Sequence, residues 1–199
     1  MAKLVSLDPI ARNLIKKRLA ELHPAPKWKF GNPQKTAAIL LPLCLVSGVP
    51  SVLFTLRSPN LRSHSGQVSF PGGMGEHGES SIQTALRETK EEIYIESNNI
   101  TVLGEMHPVP DITRKIKVTT MVAYIGNIDA NEMRFNTDEV SKIFTVPIAY
   151  LLNPESQKYS VYHVDTPYWI YEDLTIWGLT AYVLFNFLQK VLIDTQSKI

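Results

Sequence analysis

The spacing of apolar residues predicts a helix near the N-terminus, followed by a loop and a β-hairpin. Asp8 and Pro9 are residue types that favour a helix cap and a first helical turn, and apolar residues then recur every three or four positions. Residues 24–35 are rich in proline, lysine and glycine and predict a loop. Two apolar runs, 37–46 and 51–57, are joined by SGVP and predict a hairpin.

The rest of the chain mixes predicted strands and helices without regular β-α-β alternation. Strands are predicted in QVSF before PGG, in ITVLGEM and in KVTTMVAYIGNI. Residues 138–152 begin with a helix-like turn and continue as an apolar run, and a largely buried helix is predicted after Gly178. This mixture favours an α+β fold, an α/β/α sandwich with a central mixed β-sheet.

No linker or repeat divides the chain into two domains. We therefore predict a main domain over 36–193, an N-terminal helix and loop over 1–35 packed on it, and a C-terminal tail over 194–199. The chain has 199 residues and a net charge of +1, so it has no general attraction to nucleic acid or anionic membranes. Prolines and a glycine interrupt its most apolar stretch, which argues against a membrane span. The one cysteine, Cys44, lies in an apolar run and suits a buried thiol in a reducing, intracellular compartment.

Residues 70–92, FPGGMGEHGESSIQTALRETKEE, contain two overlapping patterns. Gly73, Gly75 and Gly78 form G-x-G-x-x-G, the dinucleotide-binding fingerprint, which arises by chance in roughly one chain of this length in fifteen. The second pattern has a chance occurrence on the order of one chain in a hundred thousand. It consists of Gly73, Glu79, Arg87, Glu88, Glu91 and Glu92. We therefore interpret the segment by the second pattern.

Helical geometry supports this interpretation. At 100° per residue an apolar face forms on one side of the helix, and three glutamates occupy roughly the opposite side. The apolar face contains Ile82, Ala85, Leu86, Thr89 and Ile93. Three neighbouring carboxylates repel each other unless a cation neutralises them, and Mg²⁺ or Mn²⁺ prefers such hard oxygen ligands. The alternative, a solvated acidic face, does not explain the fixed spacing to Glu79 and Gly73.

The second pattern resembles the Nudix box, G-x5-E-x7-R-E-U-x-E-E-x-G-U with U aliphatic. This box is found in hydrolases of nucleoside diphosphates linked to another group. Thr89 stands at an aliphatic position and Tyr94 at the usual glycine position. Glycine there normally permits a left-handed turn, so tyrosine either adopts that turn at a cost of roughly 1 kcal/mol or the helix ends differently.

Segments around the box resemble one Nudix subfamily, the coenzyme A diphosphatases. The similarity covers LFTLRSPNLRSHSGQVSFPGG, EVSKIFTVPIAYLL and IWGLTAYVLFNFL. It implies a Nudix-type α/β/α sandwich and hydrolysis of the coenzyme A pyrophosphate to 4′-phosphopantetheine and adenosine 3′,5′-bisphosphate. Acyl-CoA and oxidised CoA are further substrates it implies. Other Nudix substrates, such as ADP-ribose, NADH or a nucleoside triphosphate, remain alternatives, as does a non-catalytic binding module of the same fold.

The resemblance also implies the site residues. Glu88, Glu91 and Glu92 would bind Mg²⁺ or Mn²⁺, with the Gly72 carbonyl as a further ligand, and Glu88 would also accept a proton from the attacking water. Arg87 and Glu79 would pair and fix the helix against the preceding loop. The residues predicted to bind substrate are Arg57, Arg62, His64, Gly73 and Glu139.

Several of these assignments have simpler alternatives. Arg57 and Arg62 suit bidentate phosphate binding, but both could instead face solvent. His64 could make only a loop hydrogen bond, and Glu139 could be a second general base or a charge at the start of a helix. The C-terminal Ser197-Lys198-Ile199 is close to the peroxisomal address S-K-L. Peroxisomal members of the subfamily exist, which favours an import receptor as a partner over an ordinary polar tail.

Overall fold

The fold is organised around an eight-stranded sheet. The structure is a computed structural model that describes residues 6–22, 35–61, 63–160 and 163–193. Arg62, the tail with Ser197-Lys198-Ile199 and nearly all of the predicted loop over 24–35 lie outside these residues.

The helices and strands follow in an irregular order along the chain. The helices are α1 (Pro9–Ala20), α2 (Ser81–Ile93), α3 (Ile148–Leu152) and α4 (Gly178–Phe187), which a π-helical turn (Leu188–Leu192) continues. Short 3₁₀ turns lie at Ser97–Asn99 and Pro154–Ser156. The strands are β1 (Lys35–Val46), β2 (Val49–Arg57), β3 (Val68–Ser69), β4 (Gly72–Met74), β5 (Thr101–Glu105), β6 (Val109–Pro110), β7 (Ile116–Asn127), β8 (Val140–Pro147), β9 (Gln157–Ser160), β10 (His163–Tyr171) and β11 (Leu174–Ile176).

The main sheet is mixed, as the sequence predicts. Strand β1 pairs in parallel with β7 and antiparallel with β2, its partner in the predicted hairpin. Ser47 and Gly48, the turn residues of that hairpin, both have positive φ, which gives a tight two-residue turn. Strand β2 also pairs antiparallel with β8, and β7 pairs antiparallel with β5.

The two faces of the sheet contact different helices. On one face, Leu41 and Leu43 of β1 belong to the same core cluster as residues of α1 and α4. On the other face, Ala38 and Leu40 cluster with Ala85 of α2. Since successive strand residues point to opposite faces, each side of the sheet is covered by helices. The predicted α/β/α sandwich of the α+β class is confirmed.

Helix α1 joins the sheet edge to the C-terminal helix. Its cap forms as predicted, with the Ala11 N–H donating to the Asp8 carboxylate at 2.8 Å. Arg18 donates to the Val191 carbonyl at 2.7 Å, and His107 Nε2 lies 2.7 Å from the Leu22 carbonyl oxygen. These contacts hold α1 against the main domain. The exact boundaries, 1–35, 36–193 and 194–199, stay a prediction.

Two parts of the fold differ from the sequence expectations. Residues 138–152 form strand β8 followed by the short helix α3, because the apolar run pairs along β2 from Ser51 to Arg57. A second sheet of β11, β10 and β9 was not predicted. Within the described residues, no helix combines the length and the apolar character needed to span a membrane.

Tyr94 ends helix α2 in the left-handed conformation that a glycine normally takes. Its φ is 55° and its ψ is 30°, and its N–H donates to the Lys90 carbonyl at 3.1 Å. The tyrosine side chain is 55% exposed, so it gains little packing in return. The helix therefore ends as a glycine would end it, and the tyrosine backbone carries the strain.

Replacing Tyr94 by glycine should raise the free energy of unfolding by about 1 kcal/mol, because glycine adopts a positive φ without a Cβ clash. The expected rise in Tm is roughly 2–4 °C in a chain of this size. Thermal unfolding of Tyr94→Gly beside Tyr94→Ala measures this difference, since the alanine variant keeps the Cβ atom. Equal stability of the two variants would contradict the assignment of strain to this backbone.

Candidate active site

The chain between β2 and α2 passes through a gap between two strands of the sheet. Strand β3 pairs with β2, β4 pairs with β1, and the Leu40 N–H donates to the Pro71 carbonyl at 2.8 Å between these pairings. Gly72 has a φ of +147°, and a Cβ there would lie 2.4 Å from the Ala38 carbonyl oxygen. Only glycine permits this approach, which brings the backbone of the loop beside α2.

Gly73 makes room for a carboxylate. A Cβ at this position would lie 2.5 Å from the Glu88 carboxyl group. The first glycine of the box pattern is therefore explained by its close packing against the Glu88 side chain of α2. Its predicted contact with substrate stays a prediction.

A capping box fixes the start of α2. The Ser80 hydroxyl accepts from the Gln83 N–H at 3.4 Å, and the Gln83 side chain accepts from the Ser80 N–H at 2.9 Å. Ala85, Thr89 and Ile93 are buried as predicted. Ile82, on the same predicted apolar face, lies in the first turn of the helix and is 37% exposed.

Arg87 connects the loop to the helix. Its Nε donates to Glu79 Oε1 at 2.8 Å, and its Nη2 donates to Glu79 Oε2 at 3.1 Å and to the Met74 carbonyl at 3.0 Å. The predicted pair of Arg87 and Glu79 is therefore present, with two parallel hydrogen bonds. Arg87 Nη1 also donates to Glu88 at 2.8 Å and to Glu91 at 3.1 Å.

Glu79 is held in its charged form by these contacts. Hydrogen bonding from Arg87, with further donors from the Glu76 N–H and the Thr84 hydroxyl, lowers the pKa of Glu79 to about 2. Glu79 in turn raises the pKa of Arg87. The pair is ionised at any physiological pH and acts as a fixed link between the loop and α2.

Three carboxylates, that of Glu88 among them, lie close together beside α2. Glu88, Glu92 and Glu139 each bring one oxygen to within 4.8 Å of the others. Glu92 is 2% exposed, whereas Glu88 and Glu139 are half-buried. We name these three residues the carboxylate cluster. Its donors are hard oxygens, the ligand type that Mg²⁺ and Mn²⁺ prefer.

A turn of residues 136–139 brings Glu139 to the cluster. The Asn136 N–H donates to the Glu92 carbonyl at 2.9 Å, which ties the turn to the end of α2. The Ser58 N–H donates to the Glu139 carbonyl at 2.8 Å, which ties it to the end of β2. Two separate elements therefore fix the position of a side chain that is distant from the box in sequence.

Burial makes the cluster costly to charge. It is the main cause that raises the pKa of Glu92 to about 8, against the opposite effects of Arg57 and the Gly72 N–H. Burial also raises the pKa of Glu88, although Arg87 lowers it. Buried carboxylates need a positive partner to ionise, and the residues of the cluster therefore fit a divalent cation.

The remaining predicted site residues divide into two groups. Arg57 Nη1 lies 3.5 Å from Glu92 Oε1, so this arginine borders the cluster. Glu91 is 51% exposed and contacts Arg87, outside the cluster, and its role as a ligand stays a prediction. His64 Nδ1 lies 3.1 Å from Gln67 Oε1, within the same loop, and its contact with substrate also stays a prediction.

This loop, helix and carboxylate arrangement coincides with a family match. A NUDIX domain model matches residues 35–163, which include the whole site. The chain belongs to the Nudix hydrolase family. The fingerprint G-x-G-x-x-G is therefore a coincidental pattern within the Nudix box.

The curated relatives extend this match over most of the chain. The mitochondrial coenzyme A diphosphatase NUDT8 of Mus musculus is 36% identical over 180 residues, which cover 86% of this chain and 81% of the relative. The Homo sapiens protein of the same name is 38% identical over 156 residues, with coverages of 74% and 66%. NudL, a Nudix hydrolase of Photorhabdus laumondii, is 36% identical over 178 residues, with coverages of 86% and 92%.

Two features of this Nudix site were missed by sequence reasoning. Glu139 and Arg57 were both predicted site residues, but the approach of Glu139 to Glu88 and Glu92 and the contact of Arg57 with Glu92 were not predicted. Both contacts join residues far apart in the chain, and they depend on the pairing of β2 with β8. No local spacing in the sequence carries that information.

In the absence of divalent cations, the free energy of unfolding should fall as the pH rises from about 4.5 to about 8. Folded Glu92 keeps its proton up to about pH 8, whereas the unfolded chain releases it near pH 4.5. The folded state binds more protons in this window, so the free energy of unfolding decreases with pH, by at most about 1.4 kcal/mol per pH unit for one proton.

Denaturant unfolding in EDTA between pH 5 and pH 8 measures this slope. Glu92→Gln should flatten it, because the amide does not titrate, while Glu91→Gln should keep it. An unchanged slope in a folded Glu92→Gln protein would mean that Glu92 ionises normally.

Proposed function

We propose that this Nudix protein hydrolyses the pyrophosphate bond of coenzyme A to 4′-phosphopantetheine and adenosine 3′,5′-bisphosphate, in a reaction that needs Mg²⁺ or Mn²⁺. The observation that carries the proposal is the carboxylate cluster beside Gly72 and Gly73. The choice of substrate is supported by relatives named as coenzyme A diphosphatases at 36% and 38% identity. Acyl-CoA and oxidised CoA contain the same diphosphate and are included.

The cluster is the part of the site that would hold the cation. Glu88, Glu92 and Glu139 would be its ligands, with Glu91 and the Gly72 carbonyl as the further candidates from the sequence. When bound, the cation would screen the negative charge of the diphosphate oxygens and favour ionisation of the attacking water. This proposal also accounts for the burial of Glu92, which would be unfavourable for a carboxylate without a positive partner.

The protein's own residues have separate tasks in the proposed reaction. Glu88 or Glu139 accepts the proton of the water that attacks phosphorus, because both are half-buried and border Glu92. Arg87 keeps Glu88 in place through the 2.8 Å hydrogen bond and links it to Glu79. Arg57 contacts the diphosphate, for which a guanidinium offers several donors. As the bond to the leaving phosphate breaks, its oxygen takes up a proton from solvent.

Mass spectrometry of the products tests this function. Purified protein with CoA and Mg²⁺ or Mn²⁺, in water enriched in ¹⁸O, should give the two expected products, with the label on the attacked phosphate. Glu92→Gln should lower the rate by about 100-fold or more, the scale for loss of one preorganised charged group in a site. The exposed Glu155, far along the chain, provides the control Glu155→Gln, which should react normally.

Other outcomes would change the proposal in defined ways. If CoA survived while ADP-ribose or NADH were cut, the Nudix chemistry would stand and the substrate would be wrong. Inhibition by 3′,5′-ADP no stronger than by 5′-ADP would argue against recognition of CoA. If no diphosphate were cut, a non-catalytic binding module would be the better account.

The cellular location is a separate part of the proposal. We expect Ser197-Lys198-Ile199 to direct the protein to peroxisomes, although the two mammalian relatives are named as mitochondrial. Imaging a fluorescent fusion with and without these three residues decides between the two locations. Mitochondrial signal that is independent of the tail would exclude the peroxisomal address.

A further inference from the structure

Arg57 is placed at the cluster by an irregularity in the sheet. Leu56 is paired with Lys142 of β8, but Arg57 is paired with Val140, so Ser141 is an extra residue on β8. The Ser141 hydroxyl donates to the Leu56 carbonyl at 3.1 Å. Such a bulge bends the strand pair and redirects nearby side chains. Here the bulge lies beside Arg57, whose side chain reaches Glu92.

The guanidinium of Arg57 is incompletely hydrogen-bonded. Its Nε is buried and has no hydrogen-bond partner among the described residues. Its Nη1 lies 3.5 Å from Glu92 Oε1, which is longer than a normal hydrogen bond. The second Glu92 oxygen accepts from the Gly72 N–H at 3.2 Å instead. Arg57 therefore interacts with Glu92 as an ion pair and keeps N–H donors that are available to another acceptor.

Arg87, on the other side of the cluster, provides the contrast. Its Nε, Nη1 and Nη2 all donate to acceptors of the protein, at distances between 2.8 and 3.1 Å. An arginine bonded in this way holds neighbouring residues in position and has little capacity for a ligand. The two arginines thus differ in what they can do, although both contact the glutamates of α2.

Charge at Glu92 links Arg57 to cation binding. A cation held by the Glu92 carboxylate would lie close to the guanidinium, and the two positive charges would repel each other. A diphosphate brings negative charge to both and offers oxygens to the unsatisfied donors of Arg57. Binding of either the cation or the diphosphate should therefore improve binding of the other, by the same factor in both directions.

We propose that Arg57 couples cation binding to diphosphate binding, weakening the affinity of the carboxylate cluster for a cation alone and strengthening it when a diphosphate is present. This inference rests on the proposed function, because it requires a diphosphate to reach the cluster. It assigns Arg57 a role in discriminating between a free cation and a cation that arrives with substrate.

Titration with Mn²⁺ alone, followed by electron paramagnetic resonance, tests the first half. Arg57→Gln should bind Mn²⁺ about tenfold tighter than the unaltered protein, within the range of about 5- to 150-fold that is typical of coupled sites. Lys142→Gln is the matched control, because Lys142 is a half-buried cation on β8, opposite Leu56 in the strand register, and its Nζ lies 3.9 Å from Glu172. It should bind Mn²⁺ with unchanged affinity. Unchanged or weaker Mn²⁺ binding by a folded Arg57→Gln protein would overturn the proposal.

The second half is tested with methylenediphosphonate, a diphosphate analogue that is not hydrolysed. Its affinity is measured by calorimetry with and without Mn²⁺, corrected for the complex that the two form in solution. The gain due to Mn²⁺ should be smaller in Arg57→Gln than in the unaltered protein and should be kept in Lys142→Gln. An equal gain in all three proteins would overturn the coupling.

Arg57→Lys keeps the test decisive if the glutamine variant does not fold. Lysine retains the charge but lacks the guanidinium fork, so Mn²⁺ alone should bind normally while the gain with methylenediphosphonate falls. A full gain in Arg57→Lys would contradict the role of the unsatisfied donors. None of these measurements uses CoA, so an incorrect substrate in the proposed function would appear only in the product analysis.

Discussion

The site is governed by the burial of one carboxylate beside two others. Glu92 is 2% exposed and has an oxygen within 4.8 Å of oxygens of Glu88 and Glu139. Three such groups repel one another when ionised, and burial removes the water that would otherwise stabilise them. The structure places two arginines and a backbone N–H around them, and this arrangement leaves a net requirement for positive charge. A divalent cation would meet that requirement in the proposed reaction.

The surrounding elements can be understood as supports for this arrangement. Gly72 and Gly73 let the loop approach β1 and Glu88 more closely than any side chain would allow. Arg87 ties this loop to α2, and the turn of residues 136–139 is bonded to both α2 and the end of β2. The glycine loop, Arg87 and the turn of residues 136–139 thus all help to fix the spacing of the carboxylates.

The sequence predicted contacts between residues that are close along the chain better than contacts between residues that are far apart along it. The pair of Arg87 and Glu79 lies within one loop and helix, and the resemblance to the Nudix box was sufficient to predict it. Strand β8 was not predicted, because its identity comes from pairing with β2. Glu139 and Arg57 were predicted as site residues, but their positions beside Glu92 depend on that pairing and were not predicted. Tyr94 shows the opposite case: its position predicted a strained turn or a different helix end, and the backbone angle was needed to choose between them.

Binding of Mn²⁺ by glutamate variants tests the central claim, that Glu88, Glu92 and Glu139 together hold the cation. The comparison that decides is Glu139→Gln against Glu91→Gln, with dissociation constants from electron paramagnetic resonance and folding checked by circular dichroism. The account predicts that Glu139→Gln weakens Mn²⁺ binding by at least about tenfold, a loss that even an outer partner of a metal ligand can cause, and that Glu91→Gln weakens it less. Normal binding by Glu139→Gln together with a large loss in Glu91→Gln would contradict the account.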